Sequence, residues 1–245
     1  MVIYISNDEM EKCKKIVVVG STNVDLIARV SHLPEPGETI GDAEYCLSYG
    51  GKGANQAIAA SRLGAEVTFI SKIGYDLFGL QALEIYKSER INTEFIFTDQ
   101  KSPSGVALIS VDSFGENSII VAPGASRSLS EEDINKAEEK IKEADIILMQ
   151  LEIPIETVEY AQVPIETAEY AATIANKYNK KVILNPAPAS TLSNSFLNNV
   201  HTILPNRIEA EMLSGIKVMD VESAHRAAKA IGEKGIKNVV ITLGK

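Results

Sequence analysis

A glycine-rich stretch at residues 49–65, YGGKGANQAIAASRLGA, places one cation and one amide directly before an alanine-rich helix. Glycine allows positive φ and a close approach of a ligand to the main chain, while the first turn of a helix offers unpaired N–H groups to oxygen or negative charge. We therefore expect a binding loop formed by Gly51, Lys52, Gly53 and Asn55. The stretch alone supports equally well a plain strand-to-helix turn with a solvated lysine, because short glycine motifs have many false positives.

A second polar pair follows the first apolar run, in the segment GSTNVD at residues 20–25. Asn23 and Asp25 are two residues apart and would face the same side if the strand continues that far. The alternative is an Asx turn that serves no function. Glu152 closes a later apolar run. If these strand ends converge, amide, carboxylate and ammonium groups would surround a polyhydroxylated small molecule, because each hydroxyl both donates and accepts hydrogen bonds.

The segment LPNRIEAE, residues 204–211, is typical of a different kind of site. Asn206 and Glu209 are three residues apart and would be neighbours on a helix. Mg²⁺ usually binds through one or two carboxylates and keeps several waters, so Glu209 could order a water-clad ion near phosphates. The alternative is an N-cap followed by a solvated acidic face. Near the end of the sequence, Thr242 and Gly244 could contact a nucleotide or simply form a turn.

Alternating strands and helices must position these residues. Short apolar runs rich in β-formers are separated by helical stretches, at residues 15–20, 66–74, 144–152, 180–188, 200–206 and 238–244. This pattern predicts, for residues 15–245, a doubly wound α/β core with a mostly parallel sheet and helices on both faces. Two segments break the rhythm, about 26–51 and 104–125, and we expect them to form antiparallel strands of a small β lid. Residues 1–14 are interpreted as an N-terminal extension.

Composition excludes several classes of partner. The 245 residues carry 24 Lys and Arg against 33 Asp and Glu, a net charge of −9, which disfavours nucleic acid for want of counter-charge. No apolar run approaches the roughly 20 residues of a membrane span, so no membrane partner is expected. The two cysteines form no CxxC pair, and a reducing cytoplasm is the simplest location.

A tandem duplication interrupts the second half of the sequence. Residues 153–162 (IPIETVEYAQ) and 163–172 (VPIETAEYAA) match at seven of ten positions. Proline suits the first turn of a helix and breaks a helix interior. We therefore expect Pro164 to start a packed helix, with the first copy extruded or forming a separate turn.

Taken in order, the motifs resemble the ribokinase-like carbohydrate kinases of the PfkB family. The resemblance runs from about Lys15 to the last residue through GSTNVD, PGET, GGKGANQ, PSGVALI, PGA, LMQLEIP, LNPAPA and ITLG. It implies transfer of the γ-phosphoryl group of ATP to O5 of D-ribose or a related sugar, with Mg²⁺. It also implies roles by position: the sugar is held by Asn23, Asp25, Gly51, Lys52, Gly53, Asn55 and Glu152, ATP is contacted by Asn206, Thr242 and Gly244, and Mg²⁺ is ordered through water by Glu209.

Two departures from the family pattern qualify these expectations. Arg207 stands where the family commonly has glutamate, and no GxGD occurs in the sequence. Family members carry that motif, with the aspartate general base and a monovalent cation (K⁺) site, in a segment beyond ITLG. The resemblance therefore places the base beyond Lys245, and no catalytic residue is expected among the residues of this sequence.

This absence leaves two alternatives open. The first is a kinase whose chain is incomplete at its C-terminus, and the second is a catalytically inert sugar-binding or scaffold remnant. A homodimer formed through the lid strands is expected in both cases.

Overall fold

The computed structural model of the 245-residue chain describes residues 13–151 and 164–244. The strands in this part are β1 (Lys15–Val19), β2 (Asn23–Arg29), β3 (Glu44–Gly50), β4 (Glu66–Gly74), β5 (Ile96–Asp99), β6 (Gly105–Val111), β7 (Asn117–Ala122), β8 (Ile146–Gln150), β9 (Lys181–Asn185), β10 (Thr202–Ile203) and β11 (Asn238–Val239). Seven of them form one sheet in the order β11-β10-β9-β8-β1-β4-β5, and every neighbouring pair is parallel. The predicted doubly wound parallel core is confirmed.

The helices of the described residues lie between these strands. They are α1 (Lys52–Arg62), α2 (Leu77–Ser88), α3 (Glu131–Lys136), α4 (Glu138–Glu143), α5 (Ile165–Lys177), α6 (Asn194–Asn198), α7 (Arg207–Ser214) and α8 (Val221–Gly232), with a 3₁₀ turn at Gly124–Ser128. Local sequence explains several of their starts, since the side chain of Asp76 caps α2 and that of Ser130 caps α3. In the part of the chain that is described, no helix has the length and apolarity to cross a membrane.

The two faces of the large sheet are covered to different extents. Val17, in β1, and its register partner Ile147 in β8 are fully buried on the face packed by α3 to α8. On the other face Val18 is fully buried beneath α1 and α2. In the same register row, Leu148 and Ile183 are only half-buried and line an apolar cavity of about 620 Å³. Among the described residues, this second face is therefore covered over β1 and β4 but only partly over β8 and β9.

A four-stranded sheet in the order β3-β2-β6-β7 is the predicted lid. Its outer pairs are antiparallel, as expected, whereas the central pair β2 and β6 is parallel. The parallel pair arises because β2 and β6 both leave the carboxyl edge of the large sheet, after β1 and β5 respectively. The small sheet is thus attached at the edge where ligands bind in open α/β sheets.

The second copy of the duplication forms the predicted helix. Pro164 is the N-cap residue of α5, and the helix continues to Lys177 with its alanines buried against the large sheet. The fixed φ of proline is compatible with this position, and its missing N–H costs nothing there. The first copy, residues 153–162, lies outside the described residues.

Candidate active site

The glycine-rich loop is packed tightly against the connection between β1 and β2. Gly51 has φ +91°, in the left-handed region, and a Cβ at this position would lie 2.8 Å from Cα of Thr22. A Cβ at Gly53 would lie 2.7 Å from the backbone nitrogen of Ser21, and the Ala54 N–H donates to the Ser21 carbonyl at 3.0 Å. These glycines therefore have a packing reason that is independent of any ligand.

Asn23 and Asp25 lie on the small sheet rather than on the first strand. The sequence placed them on one side only on the condition that the first strand continued that far, but β1 ends at Val19 and the chain crosses to the small sheet before β2 begins. Because β2 is extended, the two side chains still share one face. Asn23 is buried and pairs with Gly50 in register, and a Cβ at Gly50 would collide with the half-buried carboxylate of Asp25. An amide and a carboxylate are thus held beside the glycine-rich loop.

Lys52 and Asn55 occupy the first turn of α1, directly after this loop. Lys52 is half-buried and Asn55 is exposed. Burial raises the pKa of Glu209, and this effect is opposed in smaller part by a hydrogen bond from the Asn206 backbone and by the positive charge of Lys52. The lysine is therefore close enough to act electrostatically on the cleft that contains Glu209.

That cleft has a volume of about 530 Å³. It is lined by Gln56, Leu148, Ile183, Asn185, Ala187, Leu204, Asn206, Glu209 and Thr242. Asn206 caps α7: its Oδ1 accepts from the Glu209 N–H at 2.9 Å, and its own N–H donates to Glu209 Oε2 at 2.7 Å. Thr242 is held beside this cap, since its N–H donates to the Pro205 carbonyl at 3.0 Å. Three of the residues selected from the sequence, Asn206, Glu209 and Thr242, are thus brought together.

The alternative interpretation of Asn206 and Glu209 was an N-cap followed by a solvated acidic face, and the structure agrees with its first part only. The N-cap exists, but the acidic face is not solvated, because the Glu209 side chain is 3% exposed and lines the cleft. Each of its carboxylate oxygens accepts one hydrogen bond from Asn206, which leaves further lone pairs for water. Within residues 13–151 and 164–244, no group of three His, Cys, Asp or Glu is placed to hold a metal. The donor set fits a water-mediated Mg²⁺, as one carboxylate suffices for that.

The remaining candidates lie at the margin of this site. Gly244 has φ +71° and is near Arg207, whose guanidinium donates to the Leu243 carbonyl at 3.1 Å. Arg207, which departs from the family pattern, thus connects the residues after β11 to the start of α7 by a hydrogen bond. Glu152 lies outside the described residues, and its place at the sugar site therefore stays a prediction. The position of the aspartate base beyond Lys245 stays a prediction as well.

Sequence reasoning missed one polar pair at the site. Gln150, at the end of β8, is 1% exposed, and its Nε2 donates to Oε1 of Gln56, which lines the cleft. Its own Oε1 is buried, has no hydrogen-bond partner among the described residues and lies against Gly20. The available signal was a glutamine at the end of an otherwise apolar strand, ADIILMQLE.

A doubly wound sheet with a small sheet at its carboxyl edge, and a glycine-rich loop near a cleft that contains Glu209, is an architecture compatible with the sugar kinases. Residues 13–245 match the family described as pfkB family carbohydrate kinase. The chain belongs to this family, and it is a kinase by membership.

Individual relatives agree with this assignment. A ribokinase of Haemophilus influenzae is 45% identical over 231 residues, which cover 94% of this chain and 72% of that protein. A deoxyribokinase of Salmonella typhi is 37% identical over the same shares of the two chains. A solved structure of Arabidopsis thaliana ribokinase complexed with ribose and ATP is 28% identical, with a TM-score of 0.81, and the match covers 95% of this chain and 73% of that one.

Proposed function

We propose that this chain is the sugar- and nucleotide-binding body of an ATP-dependent kinase that phosphorylates D-ribose at O5. The observation that supports this most directly is the convergence, at one sheet edge, of Asn23, Asp25 and the glycine-rich loop with the cleft of Asn206 and Glu209. The relative named ribokinase at 45% identity favours ribose as the sugar.

In this proposal the small sheet and the start of α1 bind the sugar. Asp25 accepts hydrogen bonds from sugar hydroxyls, Lys52 donates to them, and the amides of Asn23 and Asn55 do both. Gly51 and Gly53 are proposed to bind a sugar oxygen through backbone N–H groups, while their missing side chains allow the loop to pack on Ser21 and Thr22. We assign Glu152, which follows β8, to the same site.

The cleft is proposed to bind the nucleotide. Asn206, Thr242 and Gly244 contact ATP, and Glu209 orders water around Mg²⁺ beside the phosphates. When bound, the ion neutralises charge that develops on the transferring phosphoryl group. Arg207 adds a positive charge at the N-terminus of α7, where the helix itself favours anions.

We further propose that turnover requires a segment like the part of the ribokinase relative that the match does not cover. The sequence has no GxGD, so neither the anion-stabilising turn nor the aspartate base implied by the family is present in it. The partly covered sheet face beside Leu148 and Ile183 supports packing of additional chain there, because parallel sheets normally have both faces covered. Without that segment the chain would bind sugar and transfer no phosphate.

Calorimetry and a coupled ADP assay test the proposal on two proteins, the 245-residue chain and a fusion that continues after Lys245 with the unmatched C-terminal part of the Haemophilus influenzae relative. We expect both to bind D-ribose and only the fusion to turn over ATP. Loss of the base alone should lower the rate by about 10²–10⁴-fold, and loss of the anion site adds to this.

Three outcomes contradict separate parts of the proposal. Turnover by the short chain above a no-enzyme control would refute the need for the segment. Tighter binding of 2-deoxyribose than of ribose would make 2-deoxyribose, and not ribose, the proposed substrate. An inactive fusion that binds ribose would favour the second candidate, an inert sugar-binding or scaffold protein.

The small sheet is also the proposed homodimer interface. Leu26, Leu47, Leu108 and Ile120 form one register row across its four strands, and Leu108 and Ile120 are 48% and 64% exposed. A second copy of the chain would cover this apolar row. Light scattering should show a dimer that becomes a monomer on Leu108→Asp; a wild-type monomer at micromolar concentration would contradict the interface.

A further inference from the structure

Helix α2 is linked to the small sheet at three places along its length. At its N-terminus, Asp76 accepts from both the N–H and the hydroxyl of Ser104, at 2.7 Å each, directly before β6. In its middle, Gln81 accepts a hydrogen bond from the Tyr49 hydroxyl of β3. Near its C-terminus, the Tyr86 hydroxyl is hydrogen-bonded to the hydroxyl of Thr22, directly before β2. One helix of the core thus contacts the base of three lid strands.

The contact between Tyr86 and Thr22 is the most deeply buried of the three. Tyr86 is 0% exposed and Thr22 4%. Burial raises the pKa of Tyr86 to about 12, so its hydroxyl stays protonated at the pH at which enzymes work. Phe69 and this ring pack in a T-shaped arrangement, with 5.6 Å between centroids. The tyrosine is therefore a rigid, neutral hydrogen-bonding group fixed to the core.

Thr22 lies where the core meets the lid. Its N–H donates to Ser126 Oγ, at 3.4 Å, and its backbone is the surface on which Gly51 packs. The next residue is Asn23, followed after Val24 by Asp25. A shift of Thr22 would therefore displace the start of β2 and the glycine-rich loop together.

We propose that Tyr86 and Thr22 are positioning residues of the sugar site, which hold the start of β2, and through it Asn23 and Asp25, in register with the core. This inference rests on the proposed function. The effect of this pair should be limited to sugar binding. Thr22 directly precedes Asn23, whereas neither Tyr86 nor Thr22 belongs to the residues that line the cleft of Asn206 and Glu209. Loss of the pair is expected to weaken sugar binding and to leave nucleotide binding unchanged.

The test removes the two buried hydroxyl groups of Tyr86 and Thr22, singly and together. Removing one hydroxyl leaves the other buried without a partner, whereas removing both leaves two apolar groups in contact. Tyr86→Phe and Thr22→Val should each raise the Kd for ribose about three- to tenfold. The double variant should raise it by a similar factor and not by the product of the two, because all three variants lack the same hydrogen bond. Tyr170→Phe is a matched control, because that tyrosine donates to Asn135 at 2.8 Å on the other face of the sheet.

The experiment measures the Kd for ribose and for ATP by calorimetry, together with thermal melts and amide hydrogen exchange of residues 23–29. The expected result is a change in ribose affinity and faster exchange in β2 for each single variant, with ATP affinity unchanged and neither effect in Tyr170→Phe. Single variants that lower only the melting temperature, or that weaken both ligands equally, would overturn the inference. If wild type binds no ribose, the proposed function fails, and exchange in β2 still decides whether the pair positions that strand.

Discussion

Replacing Gly53 by alanine is expected to destabilise the protein by about 2 kcal/mol, although alanine is the better helix former. Gly53 is the second residue of α1. A Cβ there would lie 2.7 Å from the backbone carbon of Gly20 and equally close to the nitrogen and oxygen of Ser21. All three atoms belong to the main chain, so none can rotate away and the start of α1 must shift outward.

The magnitude follows from two opposing contributions. Forcing a methyl group into a packed site costs about 1–3 kcal/mol, and contact with three backbone atoms of Gly20 and Ser21 places Gly53 at the upper end. The gain in helix propensity is at most about 1 kcal/mol. The net loss of about 2 kcal/mol corresponds to a fall in Tm of about 4–8 °C for a domain of this size.

Gly232 provides a matched control for the same substitution. It is the last residue of α8, and no atom of the described part of the chain lies within 4 Å of a Cβ at that position. Gly232→Ala should therefore be neutral or stabilising by up to about 1 kcal/mol. Urea and thermal unfolding should show a loss of stability for Gly53→Ala and none for Gly232→Ala. A Gly53→Ala protein that melts like wild type but no longer binds ribose would refute the packing explanation and assign this glycine to ligand approach instead.

Three further predictions concern other parts of the molecule. Asp25→Asn should weaken ribose binding roughly ten- to a hundred-and-fiftyfold, a cost of about 1.5–3 kcal/mol, with little change in Tm, because an amide presents a donor where the carboxylate accepts; equal affinity by calorimetry would remove Asp25 from the site. Deleting residues 153–162 should leave the far-UV circular dichroism and Tm nearly unchanged, since α5 starts in the second copy, and a large fall in Tm would show that the first copy is packed. Lys72→Met should lower the free energy of unfolding by about 2 kcal/mol, because the buried Asp133 loses the cation 2.7 Å away and keeps only the more distant Lys136, at 3.9 Å. Lys140→Met, at an exposed ion pair, should cost less than about 1 kcal/mol, and similar losses for both would contradict the assignment.

Most strands of the large sheet were predictable because each is a short apolar run, and β4, β9 and β10 are each followed by a helix. β5 was missed, since residues 96–99 (IFTD) mix apolar and polar types and show no clear period. The parallel pairing of β2 with β6 was also missed, because no local pattern specifies which of two distant strands will be neighbours. Helix starts at Pro164 and Asn206 were predictable, as capping depends only on adjacent residues.

The candidate site was also predictable only where its features depend on neighbouring residues in the sequence. The residue types at Asn206 and Glu209 indicated an N-cap, but the burial of Glu209 depends on the cleft around it. The glycines of the loop suggested ligand approach, whereas their contact with Ser21 and Thr22 requires knowledge of which backbone lies opposite. Hydrogen bonds such as that between Tyr86 and Thr22, 64 residues apart, leave no trace in a single sequence.

Helix α1 joins the two ends of the proposed site within one rigid element. Its first turn carries Lys52 and Asn55, and the next residue, Gln56, lines the cleft and accepts a hydrogen bond from Gln150. Phosphoryl transfer depends mainly on holding the reacting oxygen and the phosphate at a fixed separation. At Gly53 the start of α1 packs directly on the backbone of Gly20 and Ser21, with no flexible side chain between the two segments. This contact fixes the separation more firmly than a loop would. The same residues that make the stretch suitable for binding therefore also make it stiff, which is why the substitution at Gly53 tests both properties at once.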